Sequence, residues 1–202
     1  VNFTPKTNFD PQMYQRDPVR ASLTKIGKLA GKRSAGLEFA IELRGSGSVS
    51  VEPGWAKLVK ACGFELNAIK KLVIGLIDNG FFQHGETITG GTSGATGRVV
   101  CNTHSGDPVI YYEPLTGTFV DDESLTGSAS GATCTTGSPP SDAGFEIKPV
   151  SSGVPTLTMG LYEDGVRKLI KGCRGTVKLG FKIGEPAVVE FSFMGVEAGV
   201  SD

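Results

Sequence analysis

The sequence predicts a mainly β protein with one α-helix, a long β-hairpin arm and a small β domain inserted into the framework. Three observations carry this. Glycine numbers 29 in 202 residues and lies, without a collagen-like period, at turns between short apolar runs. The segments 36–45 and 176–196 alternate apolar and polar residues with a period of two. The stretch 72–97 returns as 109–134, an offset of 37 residues.

The arm comes first. Between residues 19 and 44 two strand-like runs are joined by "GKLAGKRSAG", which is basic through Lys28, Lys32 and Arg33. From its residues alone this joint reads as a solvated hairpin. In "GLEFAIELRG" (36–45), Leu37, Phe39, Ile41 and Leu43 share one face, and Glu38, Ala40, Glu42 and Arg44 the other. That is a half-buried strand. The one helix falls in "PGWAKLVKACGF" (53–64), where Trp55, Leu58, Val59 and Cys62 have helical spacing. Pro53 suits its first turn and Gly63 its stop, and Trp55 is expected in the core.

The repeat occupies the middle of the chain. "LVIGLIDNGFFQHGETITGGTSGATG" aligns with "VIYYEPLTGTFVDDESLTGSASGATC". Identical pairs include Gly80/Gly117, Phe82/Phe119, Glu86/Glu123, Thr89/Thr126, Gly94/Gly131, Ala95/Ala132 and Thr96/Thr133. Each copy reads as an apolar strand, a turn at Gly80 or Gly117, a short strand and a Gly/Ser/Thr turn. Asn79-Gly80 is a hairpin signal, although a helix over 68–77 is the alternative. Two half-units can bury each other's apolar faces, so 66–144 is expected to form a two-fold β barrel or sandwich around Phe82, Phe119, Ile88 and Leu125. The Gly/Ser/Thr turns invite a phosphate-loop reading, but the lysine such a loop needs is missing: Arg98 follows one copy and Thr135 the other. The glycines are expected to supply positive φ instead. His84, Glu86, His104 and Asp107 have no ligand spacing and are expected to be solvated loop residues.

The C-terminal segment returns to alternation. Asp164-Gly165 marks a hairpin within "TLTMGLYEDGVRKLIKG". In 176–196, Val177, Leu179, Phe181 and Ile183 are expected inward, with Thr176, Lys178 and Lys182 outward. After the Gly184–Pro186 turn, Val189, Phe191 and Phe193 point in, and Glu190 and Ser192 out.

Composition narrows the function. Twenty basic residues against twenty-one acidic ones exclude the strongly basic type of nucleic-acid binder. No run reaches the roughly 18 apolar residues of a membrane span, and the first residues lack a signal-peptide core, so no membrane anchor is expected. Cys62, Cys101, Cys134 and Cys173 include no C-x-x-C pair; reduced thiols are expected, a Cys101–Cys134 bridge being the alternative. No nucleophile–base pair or carboxylate dyad stands out, so no enzyme, cofactor or metal is expected.

Three blocks carry a family resemblance: "RDPVRASLTKIGKLAGKRSAGLEFAIELRGSG", "PGWAKLVKACGF" and "SSGVPTLTMGLYEDGVRKLIKGCRGTVKLGFKIGEPAVVEFSFMGV". Their order resembles the major tail tube protein of long-tailed, siphovirus-type bacteriophages. The repeat departs from the simple version of that family, and its "GETITGGTSGAT" resembles modules of other phage structural proteins. The resemblance implies a two-sheet β-sandwich flanked by the helix, with residues 1–65 and 145–202 forming a discontinuous tail tube domain and 66–144 an inserted module. It implies hexameric rings stacked into a tube, a virion component assembled in the host cytoplasm that conducts DNA without reading its sequence. Partners would be further copies of the chain, the tape measure, terminator and distal tail proteins, and for the insert a host surface. Glu38, Glu42, Glu190, Lys178 and Lys182 are then candidates for the lumen wall, expected to carry an excess of carboxylates that repels phosphate. Lys28, Lys32 and Arg33 are candidates for an arm reaching the next ring. The rivals are a stand-alone carbohydrate-binding or adhesion module, which predicts a monomer, and another tail component on the same fold.

Overall fold

The computed structural model describes residues 6–14 and 28–201. The chain is mainly β, with two antiparallel sheets and one short helix among the described residues. It divides into two compact units. Unit 1 holds residues up to Arg44, Trp55–Glu65 and the segment from Pro149 onward; unit 2 holds Gly45–Gly54 and Leu66–Lys148.

Unit 1 is built on five strands: β1 (Lys6–Tyr14), β2 (Leu29–Glu42), β10 (Leu157–Glu163), β11 (Val166–Gly180) and β12 (Val188–Ser201). Their order is β1-β2-β12-β11-β10. The period of two sets the register. Phe191 lies opposite Phe39 and Val177, and Phe193 opposite Leu37 and Gly175. Phe39, Phe191 and Phe193 stack with ring centroids 5.4–5.8 Å apart. Val189, Phe191 and Phe193 are buried, as the alternation predicts. Position 175 has to be glycine, because a Cβ there would stand 2.4 Å from the Ser192 carbonyl and 2.6 Å from the Phe193 ring. Asp164 and Gly165 turn the β10–β11 hairpin with φ of 48° and 81°, the geometry expected of that dipeptide.

Three expectations in this unit are corrected. The basic joint is strand: residues 29–42 run unbroken as β2, because β1 supplies hydrogen-bond partners from Leu29 to Glu38 and β12 from Ser34 to Glu42. The hairpin arm is therefore β1–β2, and the first predicted run, around 19–27, lies outside the described residues. The helix, α1, spans only Ala56–Lys60. Trp55 stands at its N-cap, where an indole cannot accept a backbone N–H; its Nε1 instead donates to the Arg44 carbonyl at 2.9 Å. Ala56 and Val59 form its buried side, while Trp55 is half-buried. Gly63 ends the turn at φ 90°, as predicted. Finally, Leu179, Phe181 and Ile183 are exposed, not inward.

Unit 2 is a curled seven-stranded sheet. Its strands are β3 (Phe64–Val73), β4 (Thr87–Gly90), β5 (Thr96–Val99), β6 (Val109–Thr116), β7 (Ser124–Gly127), β8 (Thr133–Thr135) and β9 (Ser141–Pro149), in the order β8-β7-β4-β5-β6-β3-β9. The chain beyond β3 then returns to β8: Ile74 bridges Thr136, and Asp78 bridges Thr133. The N–H groups of Gly75 and Gly137 donate to the carbonyls of Thr135 and Val73, at 2.8 and 2.9 Å. The outer side of β8 is thus paired, and six strands close on themselves. The 68–77 helix does not form, and Asn79-Gly80 sits in the connection after β3 instead of turning a hairpin. The cross-bridges to β8 hold that connection extended.

Inside lie Phe82, Phe119, Ile88 and Leu125, the predicted core, all at most 2% exposed. Leu72, Ile110 and Tyr112 join them. The halves meet at β4 and β7, where Thr89 pairs with its own counterpart Thr126.

Candidate functional site

Two places concentrate polar chemistry: the polar face of the unit 1 sheet and the turns of the unit 2 barrel.

The polar face follows from the strand register. Lys6 lies opposite Glu38, Glu38 opposite Ser192, and Ser192 opposite Thr176. One step along, Ala40 faces Glu190, and Glu190 faces Lys178. Glu42 follows on the same side of β2. A shallow depression of about 380 Å³ runs over Lys6, Glu38, Thr176, Lys178, Glu190 and Ser192. Lys178 Nζ lies 3.2 Å from Glu190, Arg44 lies 2.7 Å from Glu42, and Ser192 Oγ donates to Glu38 at 3.5 Å.

Glu38, Glu42, Glu190 and Lys178 are therefore brought together. Lys182 is not: it sits in the exposed connection between β11 and β12, bonded to Glu185. The expected excess of carboxylates is absent from this face, since Lys6, Lys178 and Arg44 stand against the three glutamates. Strand pairing places Lys6 beside Glu38 and Lys178 beside Glu190, and Arg44, two residues on along the same segment, reaches Glu42. Lys28 precedes β2 and is exposed; Lys32 and Arg33 are exposed within β2, and Arg33 lies 3.6 Å from Glu197 of β12.

In unit 2 the turns do cradle an anion, but it belongs to the protein. Glu123, only 1% exposed, accepts from the backbone N–H groups of Val120 (2.7 Å), Ser93 (3.0 Å) and Thr92 (3.2 Å), and from Ser93 Oγ. Glu86, 6% exposed, accepts from the N–H groups of Gln83 (2.6 Å), Ala129 and Ser130 (both 3.0 Å), and from Ser130 Oγ. Each copy's carboxylate fills the other copy's turn. Gly90 leaves room for this, as a Cβ would stand 2.4 Å from a Glu123 oxygen; Gly127 does the same for Glu86 at 2.8 Å. Gly94 and Gly131 supply the expected positive φ. Burial pushes both carboxyls up, but the converging N–H and hydroxyl donors outweigh it and hold them below the usual carboxylate range.

Glu86 is thus a structural acceptor and not the solvated loop residue expected; its identity with Glu123 across the repeat was the signal in the sequence. His84 and His104 are exposed, with His104 Nδ1 3.6 Å from Asp107. All four cysteines are free, and burial pushes the Cys134 thiol up to about 12. On the other face of unit 2, Glu113 gathers Arg98, Lys148 (2.8 Å) and Asn67 (2.8 Å).

No protein-family model matches the chain, and no curated protein matches it significantly.

Proposed function

We propose that this chain is the structural subunit of a bacteriophage tail tube, assembling into stacked hexameric rings around a DNA channel. The observation that carries the reading is the contrast in sheet edges. Among the described residues, β1 and β10 leave both margins of the unit 1 sheet with a strand partner on one side only, whereas in unit 2 the β8 margin is paired by the chain after β3 and only β9 ends the sheet. An unpaired edge strand templates another chain, and a ring of identical subunits removes every such edge. The described residues of the three sequence blocks that resemble tail tube proteins fall mostly in the unit that contains this sheet.

Charge on the polar face fits passage of a polyanion. Counterion release makes surplus lysine and arginine adhesive to DNA. A wall on which each carboxylate has a cation or hydroxyl beside it has no such surplus and presents no base-reading groups.

Negative-stain microscopy of the purified full chain, with sedimentation velocity, tests the reading. Hollow tubes or rings are expected. Monodisperse single copies at high concentration would overturn it in favour of an adhesion module.

A further inference from the structure

The outer face of unit 2 carries a polar cluster that the repeat does not explain. Glu113 alternates with the buried Tyr112 on β6 and binds side chains from two other strands of the sheet. Asn67 of β3 donates through Nδ2 to Glu113 Oε1 at 2.8 Å, and Lys148 of β9 through Nζ to Glu113 Oε2 at 2.8 Å. Arg98 bonds the same Oε2, and Glu146 Oε2 lies 2.8 Å from the Lys148 Nζ. The side chains of Glu113, Glu146 and Lys148 are 16%, 19% and 22% exposed. In the other copy of the repeat, Leu76 stands in the place of Glu113 and Thr135 in that of Arg98. The barrel is therefore built there without these charges, and half-buried ions contribute little net stability.

Three of these groups have complementary chemistry. A lysine amine is a nucleophile once it has lost a proton. A carboxamide is an acyl donor whose leaving group is ammonia. A carboxylate that touches both nitrogens can carry a proton from one to the other. Holding all three on strands of one sheet replaces a chance encounter by a fixed one. Partial burial restricts water, the competing nucleophile.

We propose that Lys148 and Asn67 join in an intramolecular isopeptide bond, with Glu113 as the catalytic proton carrier. The Lys148 ammonium gives one proton to Glu113. The neutral Nζ attacks Asn67 Cγ, and an Nζ–Cγ bond forms. Glu113 delivers its proton to Nδ2, the Cγ–Nδ2 bond breaks, and ammonia leaves. The second proton lost by Nζ passes through Glu113 to that ammonia. The products are a secondary amide and one ammonium ion, so no oxidant, reductant or cofactor enters. Escape of ammonium into dilute solution makes the step one-way.

The bond falls where the chain enters and leaves the module. β3 leads into unit 2 and β9 leads out, and among the described residues β3 is the only strand that pairs with β9. Joining them closes residues 68–147 into one loop, which restricts the unfolded chain as a disulfide does. It also fastens the open edge of the sheet, whether or not copies of the chain assemble.

Intact mass spectrometry of the denatured full chain, followed by tryptic mapping, tests the proposal. After days at neutral pH the wild type is expected to weigh one ammonia less than its sequence. The segments that contain Asn67 and Lys148 are expected as one branched peptide. Lys148→Arg and Asn67→Ala are expected to keep the full mass. Glu113→Gln is expected to form the bond about a hundred-fold more slowly, the usual contribution of a positioned acid–base group, and Glu113→Asp to recover part of the rate. The unfolding transition of each variant is followed alongside. A wild type that keeps its full mass overturns the proposal without reference to any variant. So does conversion of Asn67 to aspartate, which would show water attacking in place of the amine. A deficit that persists in Lys148→Arg would assign the lost ammonia to a succinimide and overturn it as well. Bond formation at the wild-type rate in Glu113→Gln would overturn the role of Glu113.

Discussion

The two units differ in where their strand margins and their carboxylates end up. In unit 2 one margin of the sheet, β8, is bonded by the continuation of β3, and the two central glutamates are buried, each held by three backbone N–H groups and a serine hydroxyl. In unit 1 the sheet stops at β1 and β10, its carboxylates are paired with cations at the surface, and large apolar side chains stand free at both ends. Unit 2 satisfies its β8 margin and its central carboxylates internally and leaves only β9 as an edge. Unit 1 leaves both of its sheet margins open, which is the condition the proposed assembly requires. The difference teaches that one chain can hold two sheets that treat their edges and carboxylates differently, so the repeat need not share the function proposed for the framework.

The comparison breaks most visibly at the buried acids. Replacing both Glu86 and Glu123 with alanine strands three backbone donors and a hydroxyl at each turn. Buried unsatisfied groups cost about 1–3 kcal/mol each, so the pair is expected to remove about 5 kcal/mol or more, comparable with the whole stability of a small domain. Hydrogen exchange is expected to lose protection over β4, β5, β7 and β8 while β2 and β12 keep theirs. Simultaneous loss in β2 and β12 would show that the units do not stand apart.

Acid sharpens the same contrast. The carboxyls of Glu86 and Glu123 are depressed in the folded state. Their contribution is therefore fully present above the unfolded value of about 4.3 and is lost as pH falls from there through the folded value, at about 1.4 kcal/mol for each unit of depression. Exchange protection in unit 2 is expected to weaken below about pH 4 and to recover on return to neutrality. In the double alanine variant the acid dependence of unit 2 is expected to be much reduced.

The smallest effect belongs to the polar face of unit 1. Lys178 and Glu190 are 78% and 58% exposed, and ion pairs of this kind contribute about 0–1 kcal/mol. Lys178→Ala is expected to move the unfolding free energy by about 0.5 kcal/mol or less in a denaturant titration. A loss above about 2 kcal/mol would mean that this pair is structural, as the unit 2 carboxylates are.

Alternation made most of the unit 1 sheet legible: the facing of Leu37, Val189, Phe191 and Phe193 is what a period of two prescribes. It failed at Leu179, Phe181 and Ile183 because periodicity says which residues share a face and not whether anything covers it. The joint at 28–33 was misjudged because glycines and basic residues weaken a strand only where it is unsupported, and here β1 pairs with it up to the point where β12 joins at Ser34. The repeat gave the core of unit 2 directly, since identical apolar residues in two half-units bury each other. The role of Glu86 was not legible from its own neighbourhood. Besides the nearby Gln83, its partners Ala129 and Ser130 lie more than forty residues away, and only the identity with Glu123 points to a shared duty. The charge of the polar face was misjudged for a related reason: counting acids on one strand leaves out the cations that the register places beside them.

The pairing of Thr89 with Thr126 has a consequence for how the two halves can change over time. Because each half completes the other's loop, a substitution at Glu86 is felt around Ser130, and one at Glu123 around Ser93. Neither half can drift at these positions without harming its twin, so the duplication is held in step by mutual dependence. Away from the exchanged loops the halves are free to part company. They have done so at Gly97 and Cys134, where the glycine yields its space to Tyr112, whose ring would meet a Cβ at 2.4 Å.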